Sequence, residues 1–235
     1  MIKINIAGLT VQINNKYDYV LKQCADFATC AENVDFSVEA SPEDIEKERL
    51  LNPDFVDDGY LESVCIYREI AMHLPEYNAF VFHSAAVEYK GNAYCFTAKS
   101  GTGKTTHTKL WRKTLGEELK VINGDKPIVR LLGDKFYVYG TPWRGKENLG
   151  NDSGVPLKSI AVLHQAETNS IKLIEAKDSV PAIIQQVFIP KDKKSGIGTL
   201  DLISKLITAV PIYSLGCNMD DEAAILSFGT MSAEV

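Results

Sequence analysis

The chain has 235 residues, 25 Lys and Arg against 31 Asp and Glu, a formal net charge of −6, and 45% hydrophobic residues. That size and composition allow one sizeable buried core with room for a small appended lobe. The acidic balance, with no basic run and no basic amphipathic helix, argues against nucleic acid or an anionic membrane as the main partner.

The first residues, "MIKINIAGLTVQI", alternate Ile2, Ile4 and Ile6 with Lys3 and Asn5, the period of a strand rather than of a signal peptide. No apolar run is long enough to span a bilayer. The five cysteines, Cys24, Cys30, Cys65, Cys95 and Cys217, form no C-x-x-C pair and have no histidine at zinc-finger spacing. They read as reduced, mostly buried thiols of a cytoplasmic protein. Up to about Ser41 the pattern predicts a small α/β unit: two short strands, a helix over 17–29 and a strand over 34–38. The charged, proline-broken "SPEDIEKERLLNPDFVDDGY" reads as a linker, so residues 1–55 form the lobe with its linker and 56–235 the larger domain. Asp58 caps a helix through "YLESVCIYREIAMHL", which Pro75 ends.

Two aromatic and β-branched runs follow, "AFVFHSAAVEY" and "NAYCFTA", joined by the turn "KGN" and leading directly into "GKTTHTKLWRKTL". This is a hairpin whose second strand feeds a glycine-bearing loop and then a helix. "LKVING" ends at Asp125, "PIVRLL" and "KFYVYG" form a second hairpin, and the loop "GTPWRGKENLGNDSGVP" precedes a strand, "KSIAVLHQ". A strand near Ile171, a helix over 180–187, the breaker-rich "PKDKKSGIG", a helix over 200–209 and a last strand, "PIYSLG", complete the pattern.

The loop "AKSGTGKT" has the Gly-Lys-Thr end of a phosphate cradle, with Ala98 where glycine usually opens it. Ser100, Gly101, Thr102, Gly103, Lys104, Thr105 and Thr106 line the expected site. The glycines let backbone N–H groups turn inward, and a helix N-terminus attracts an anion. Lys104 reaches the β- and γ-phosphates and the Thr105 hydroxyl meets Mg²⁺. Phosphoryl transfer also needs charge neutralisation and a proton acceptor. Asp125 is the leading metal ligand, on a strand expected beside the loop, and that role is favoured over a turn cap of the kind Asn-Gly-Asp clusters form. His83, in the strand paired with the one entering the loop, is either a core residue or close to the phosphates. For His73, His107 and His164 the core or surface reading leads. Arg144 and Lys146 suit a clamp on phosphate or an anionic substrate, and Glu147 a metal or an amine.

Together, "FHSAAVEYKGNAYCFTAKSGTGKTTHTKLW" and "VINGDKPIV" resemble the catalytic domain of HPr kinase/phosphorylase, and more closely its smaller serine- and peptide-kinase relatives, over about 79–215. The resemblance implies an α/β phosphoenolpyruvate-carboxykinase-like P-loop core of mixed sheet and helices, here with a small N-terminal lobe. It implies an ATP- and Mg²⁺-dependent kinase acting on a hydroxyl of free serine, a peptide or a small protein. It raises His83 to a residue near the phosphates and makes Arg144 and Lys146 equivalents of the family's clamp. The family follows its loop helix with paired aspartates, a base and a metal ligand; here Gly124-Asp125-Lys126 carries one acid, so Asp125 takes either role. That departure leaves a nucleotide-binding accessory protein as the alternative, with carboxykinase chemistry last. A homo-oligomer stays open, since the full-length kinase is a ring-shaped hexamer.

Overall fold

In the amino-terminal sheet, β1 (Ile2–Ile6) and β2 (Leu9–Ile13) form an antiparallel hairpin and β3 (Phe36–Val38) joins β2 in parallel. The computed structural model describes residues 1–54 and 57–233, so the expected boundary at 55–56 lies outside the described residues. The first helix is shorter than its sequence pattern: α1 spans Asp18–Gln23 and gives way to a 3₁₀ turn at Ala25–Phe27. The stretch expected to be a linker instead contains a ten-residue helix, α2 (Pro42–Leu51). Its proline sits in the first turn, where a missing N–H costs nothing, and the Ser41 side chain caps it by accepting from Asp44 N.

Helix α3 (Asp58–His73) packs on this small sheet, and Leu61, Ile66 and Ile70, with Leu74 just beyond it, belong to the same buried cluster as Ile4, Val11 and Ile13. Each such side chain contributes about 1.5–3 kcal/mol relative to exposure. The cluster extends to Val81, Ile128 and Trp143, so the helix also forms a wall against the rest of the chain.

The larger sheet is mixed, and its strands run in the order β4 (Ala79–Val81), β8 (Ile128–Leu132), β9 (Lys135–Tyr139), β10 (Gly154–Gln165), β6 (Asn92–Thr97), β5 (Ser84–Tyr89), β7 (Lys120–Asn123). The long β10 pairs antiparallel with β9 through its first residues, then parallel with β6 on one side and with β12 (Ile212–Cys217) on the other. Strand β11 (Ser170–Leu173) closes this branch against β12. One face buries Phe80, Ile160 and Ile212 against α5 (Ala176–Ile184) and α6 (Lys193–Ala209), through Ile183, Leu202 and Leu206. The other buries Phe96, Ala161 and Leu215 against α4 (Lys104–Leu115) and α7 (Asp221–Met231).

Two further helical segments depart from the sequence reading. Helix α6 includes the glycine-bearing stretch expected to break it, because the Asp192 carboxylate caps its first turn by accepting from Ser195 N. Helix α7, which the pattern did not call for, buries Ala223, Ala224, Ser227 and Met231 along one stripe. Cys24, Cys65 and Cys95 are buried, Cys30 is exposed, and all five cysteines are free thiols. Among the described residues no helix is long and apolar enough to cross a membrane.

Candidate active site

The register of three strands brings distant residues to one edge of the larger sheet. Strand β5 runs antiparallel to β6 with Ser84 opposite Thr97, and antiparallel to β7 with Ala86 opposite Asn123. The start of β5 therefore lies beside the ends of both neighbours. Asp125 follows β7, which pairs with β5, so one strand stands between β7 and the strand that enters the loop. Because His83 immediately precedes β5, that strand brings it between the loop and Asp125. Backbone bonds fix the arrangement: Ser84 N donates to Asp125 O at 3.0 Å and His83 N to Gln186 O at 2.7 Å.

Residues Ala98–Gly103 connect β6 to α4. Gly103 has φ +126°, a conformation that L side chains rarely adopt, although a Cβ there would meet open space. The backbone turn, not crowding, requires glycine. Ser100, Gly101 and Thr106 are exposed, Thr102 and Thr105 partly buried, and Lys104 is buried. Lys104 Nζ donates to Ala98 O at 2.9 Å, across the mouth of its own loop. Burial lowers the ammonium's pKa, and the Asp125 charge partly opposes that shift. An open cleft of about 610 Å³ lies over the loop, bounded also by the end of β10 and by Gln185 and Gln186 after α5.

Asp125 is held from several sides. Its Oδ1 lies 3.3 Å from His83 Nε2, and its Oδ2 lies 3.6 Å from Lys126 Nζ. Burial pushes the carboxyl's pKa up, but the His83 hydrogen bond and the charges of Lys126, His83 and Lys104 together hold it below the ordinary value. The other His83 ring nitrogen, Nδ1, is 2.9 Å from Gln186 Oε1, so both nitrogens face side-chain oxygens. Behind Asp125, the fully buried Asn123 accepts at Oδ1 from the N–H groups of Asp125 and Lys126, both at 2.8 Å. Its amide donates to Thr141 O, Thr141 Oγ1 and Trp143 O. One asparagine thus shapes the Asp125 turn and ties it to the following loop.

That loop is anchored by its tryptophan. Trp143 stacks on Tyr67 with ring centroids 4.1 Å apart and donates from Nε1 to Ser63 O and Oγ. Gly145 crosses Asp125 closely: a Cβ there would stand 2.8 Å from Asp125 Cβ. Arg144 turns to the amino-terminal unit, with Nη2 3.1 Å from Asp26 Oδ2 and its guanidinium over the Phe27 ring. Lys146 is exposed. Glu147 pairs with Lys109 on the outer side of α4, at 3.2 Å. Of the residues singled out in the sequence, Asp125 contacts His83 and shares an electrostatic influence with Lys104, whereas Arg144 and Glu147 are engaged elsewhere.

His107 is a core residue of α4, 3.0 Å from Ser227 Oγ, and burial pushes its pKa down to about 4. His73 stacks on Phe36, and His164 borders the open cleft. The sequence reading missed Asn123, Gln186, Tyr67 and Arg68. Asn-Gly-Asp did signal a turn, but the other three reach the cluster only through tertiary packing.

A second cavity, of about 210 Å³, lies between α3 and the cluster; Tyr67, Arg68, His83, Lys126, Trp143 and Gln186 are among its walls. Gln186 borders both cavities, so the His83–Gln186 contact separates them.

No family model matches the chain, and no curated protein matches it. Among solved structures it is similar to the Hpr(Ser) kinase/phosphatase from Coxiella burnetii, at 7% sequence identity and a TM-score of 0.35, over 64% of this chain and 95% of that one.

Proposed function

We propose that the protein is an ATP- and Mg²⁺-dependent kinase that transfers the γ-phosphoryl group to a hydroxyl. The observation that carries this reading is the convergence of a strand–loop–helix phosphate cradle, with Lys104 at its helix start, on the His83–Asp125 pair at the same sheet edge. A lysine with a nearby carboxylate and an imidazole is the minimum that phosphoryl transfer asks of a protein: positioning, charge compensation and a proton acceptor.

In this reading the N–H groups of Ser100–Thr106 cradle the phosphates at the side of the 610 Å³ cleft that Ser100, Gly101 and Thr102 border. Lys104 exchanges the Ala98 carbonyl for phosphate oxygen. The Thr105 hydroxyl and Asp125 carboxylate are oxygen donors of the kind Mg²⁺ takes, since that ion binds through one or two carboxylates plus phosphate and water. Bound there, it would neutralise charge on the β- and γ-phosphates. Glu147 would join only by leaving Lys109, and Arg144 would act as a clamp only by leaving Asp26. The bond from the γ-phosphorus to the β–γ bridging oxygen breaks, a bond from the acceptor oxygen forms, ADP departs, and the hydroxyl proton passes to the His83–Asp125 pair. Free serine, a peptide or a small protein supplies the hydroxyl.

Isothermal titration with ATP and Mg²⁺, run beside Lys104→Ala, tests the nucleotide site. Saturable binding that the substitution weakens at least about tenfold, roughly 1.4 kcal/mol, is expected. Absence of binding by the folded wild-type protein would sink the kinase reading. Binding without transfer from radiolabelled ATP to serine, peptide or protein acceptors would favour an accessory nucleotide-binding role.

A further inference from the structure

The smaller cavity has a composition that the phosphate chemistry does not use. Val64, Tyr67, Arg68 and Ala71 line it from one face of α3, at the i, i+3, i+4, i+7 spacing that places side chains on a single stripe. Opposite them stand Trp143 and Lys126, with His83 and Gln186 at the end nearest the cleft. The walls are mainly apolar and include the Tyr67–Trp143 pair, whose rings stack on each other. Two cations are among the lining residues and no carboxylate is. Arg68 gives Nη2 to Glu48 at 2.6 Å and stays 45% exposed; Lys126 stays 46% exposed. Both keep donors for a further anion.

We propose that this cavity binds a small molecule with an aromatic or similarly sized apolar body and a carboxylate, the carboxylate meeting Arg68 and Lys126 and the body lying on Tyr67 and Trp143. The volume suits such a ligand: an apolar cavity of about 150 Å³ holds benzene, and about 210 Å³ leaves room for a short polar chain. His83 forms part of the wall and contacts Asp125, so a hydroxyl on that chain would face the pair from the side opposite the phosphate cleft. The role of this ligand as phosphoryl acceptor rests on the kinase reading; the binding site itself does not.

The protein has two tryptophans, and they separate the signals: Trp143 lines the cavity, while Trp111 is fully buried against α7. Tryptophan fluorescence would be titrated with 3-phenyllactate, which has ring, carboxylate and hydroxyl. The comparators are lactate, which lacks the ring, and 2-phenylethanol, which lacks the acid. Saturable quenching by phenyllactate, at least tenfold tighter than by either comparator, is expected. Val64→Phe, which fills the cavity from α3, should remove it, and Lys126→Met should weaken it about tenfold. Both variants should keep the wild-type thermal midpoint within a few degrees, and Val64→Phe should bind ADP in calorimetry as the wild type does. No saturable quenching, unchanged quenching in Val64→Phe, or 2-phenylethanol binding as tightly as phenyllactate would overturn the proposal. So would quenching by a serine-containing peptide alone. Phenyllactate binding without any nucleotide binding would refute the kinase reading and leave this site standing; nucleotide binding without phenyllactate binding would refute this site alone.

Discussion

Asn123→Ala should be among the most damaging single substitutions near the cluster, although Asn123 itself would touch neither nucleotide nor acceptor. The side chain makes five hydrogen bonds: two accepted from the Asp125 and Lys126 N–H groups, and three donated to Thr141 and Trp143. Leaving two backbone donors unpartnered costs about 1–3 kcal/mol each, and the lost amide donors add about 1 kcal/mol, so about 3–7 kcal/mol is expected in all. That is a large share of a typical stability of about 5–15 kcal/mol. Urea unfolding at 25 °C measures it. Asn123→Asp should be no better, because it turns the amide donor towards the carbonyls of Thr141 and Trp143 as a second acceptor and adds charge beside Asp125. In the folded fraction, ATP binding should fall less than about threefold, since no Asn123 contact reaches the loop at 98–103, while phosphoryl transfer falls at least a hundredfold. A loss below about 1 kcal/mol with transfer intact would refute the claim that this turn holds Asp125.

His83→Gln should retain ATP binding but reduce transfer about 10²–10⁴-fold, the usual worth of a positioned proton acceptor, whereas Asp125→Asn should also lower the affinity gained on adding Mg²⁺; equal effects of the two on Mg²⁺ dependence would show that the pair does not divide these tasks. Asp125 has its pKa depressed in the folded protein, so its contribution to stability is complete above the ordinary carboxylate value near 4 and is lost as pH falls through the lower folded value. Acid unfolding of Asp125→Asn should therefore depend less steeply on pH below 4 than that of the wild type. His107 shows a linkage of the same sign with a different cause: burial lowers its folded value to about 4, so the unfolded chain takes up the proton first. Stability should fall by about 3 kcal/mol between pH 6.5 and 4, and His107→Gln should flatten that interval in urea unfolding.

The local geometry was readable where short-range chemistry dictates it. The hairpin of β5 and β6, its passage into the 98–103 loop and α4, and the β8–β9 hairpin all follow from β-branched runs punctuated by Gly, Asn and Asp. Helix α2 was hidden because Pro42 and the charges around it read as a break, although Ser41 and Asp44 form a cap at that point. Helix α7 was passed over despite its apolar spacing. The partners of His83 and Asp125 were harder still: Gln186 meets His83 across 103 residues and Tyr67 reaches Lys126 O across 59. No periodicity encodes such contacts; they exist because tertiary packing brings α3 and the residues after α5 to the start of β5.

The single acid at Gly124-Asp125-Lys126 acquires a physical meaning from that packing. Two adjacent carboxylates would repel and raise one another's pKa values, keeping one available as a base. Here the lone carboxylate instead has an imidazole on Oδ1 and an ammonium near Oδ2, and its pKa is lowered. A carboxylate held in that way is a weak base but a good anion, suited to a metal or to orienting an imidazole. Its neighbour His83 carries an imidazole ring, lines the smaller cavity and meets Gln186, which borders both cavities. In the proposed kinase a division of labour between Asp125 and His83 would follow from these surroundings, with charge concentrated at the aspartate and proton movement left to the histidine on the wall of the pocket beneath α3.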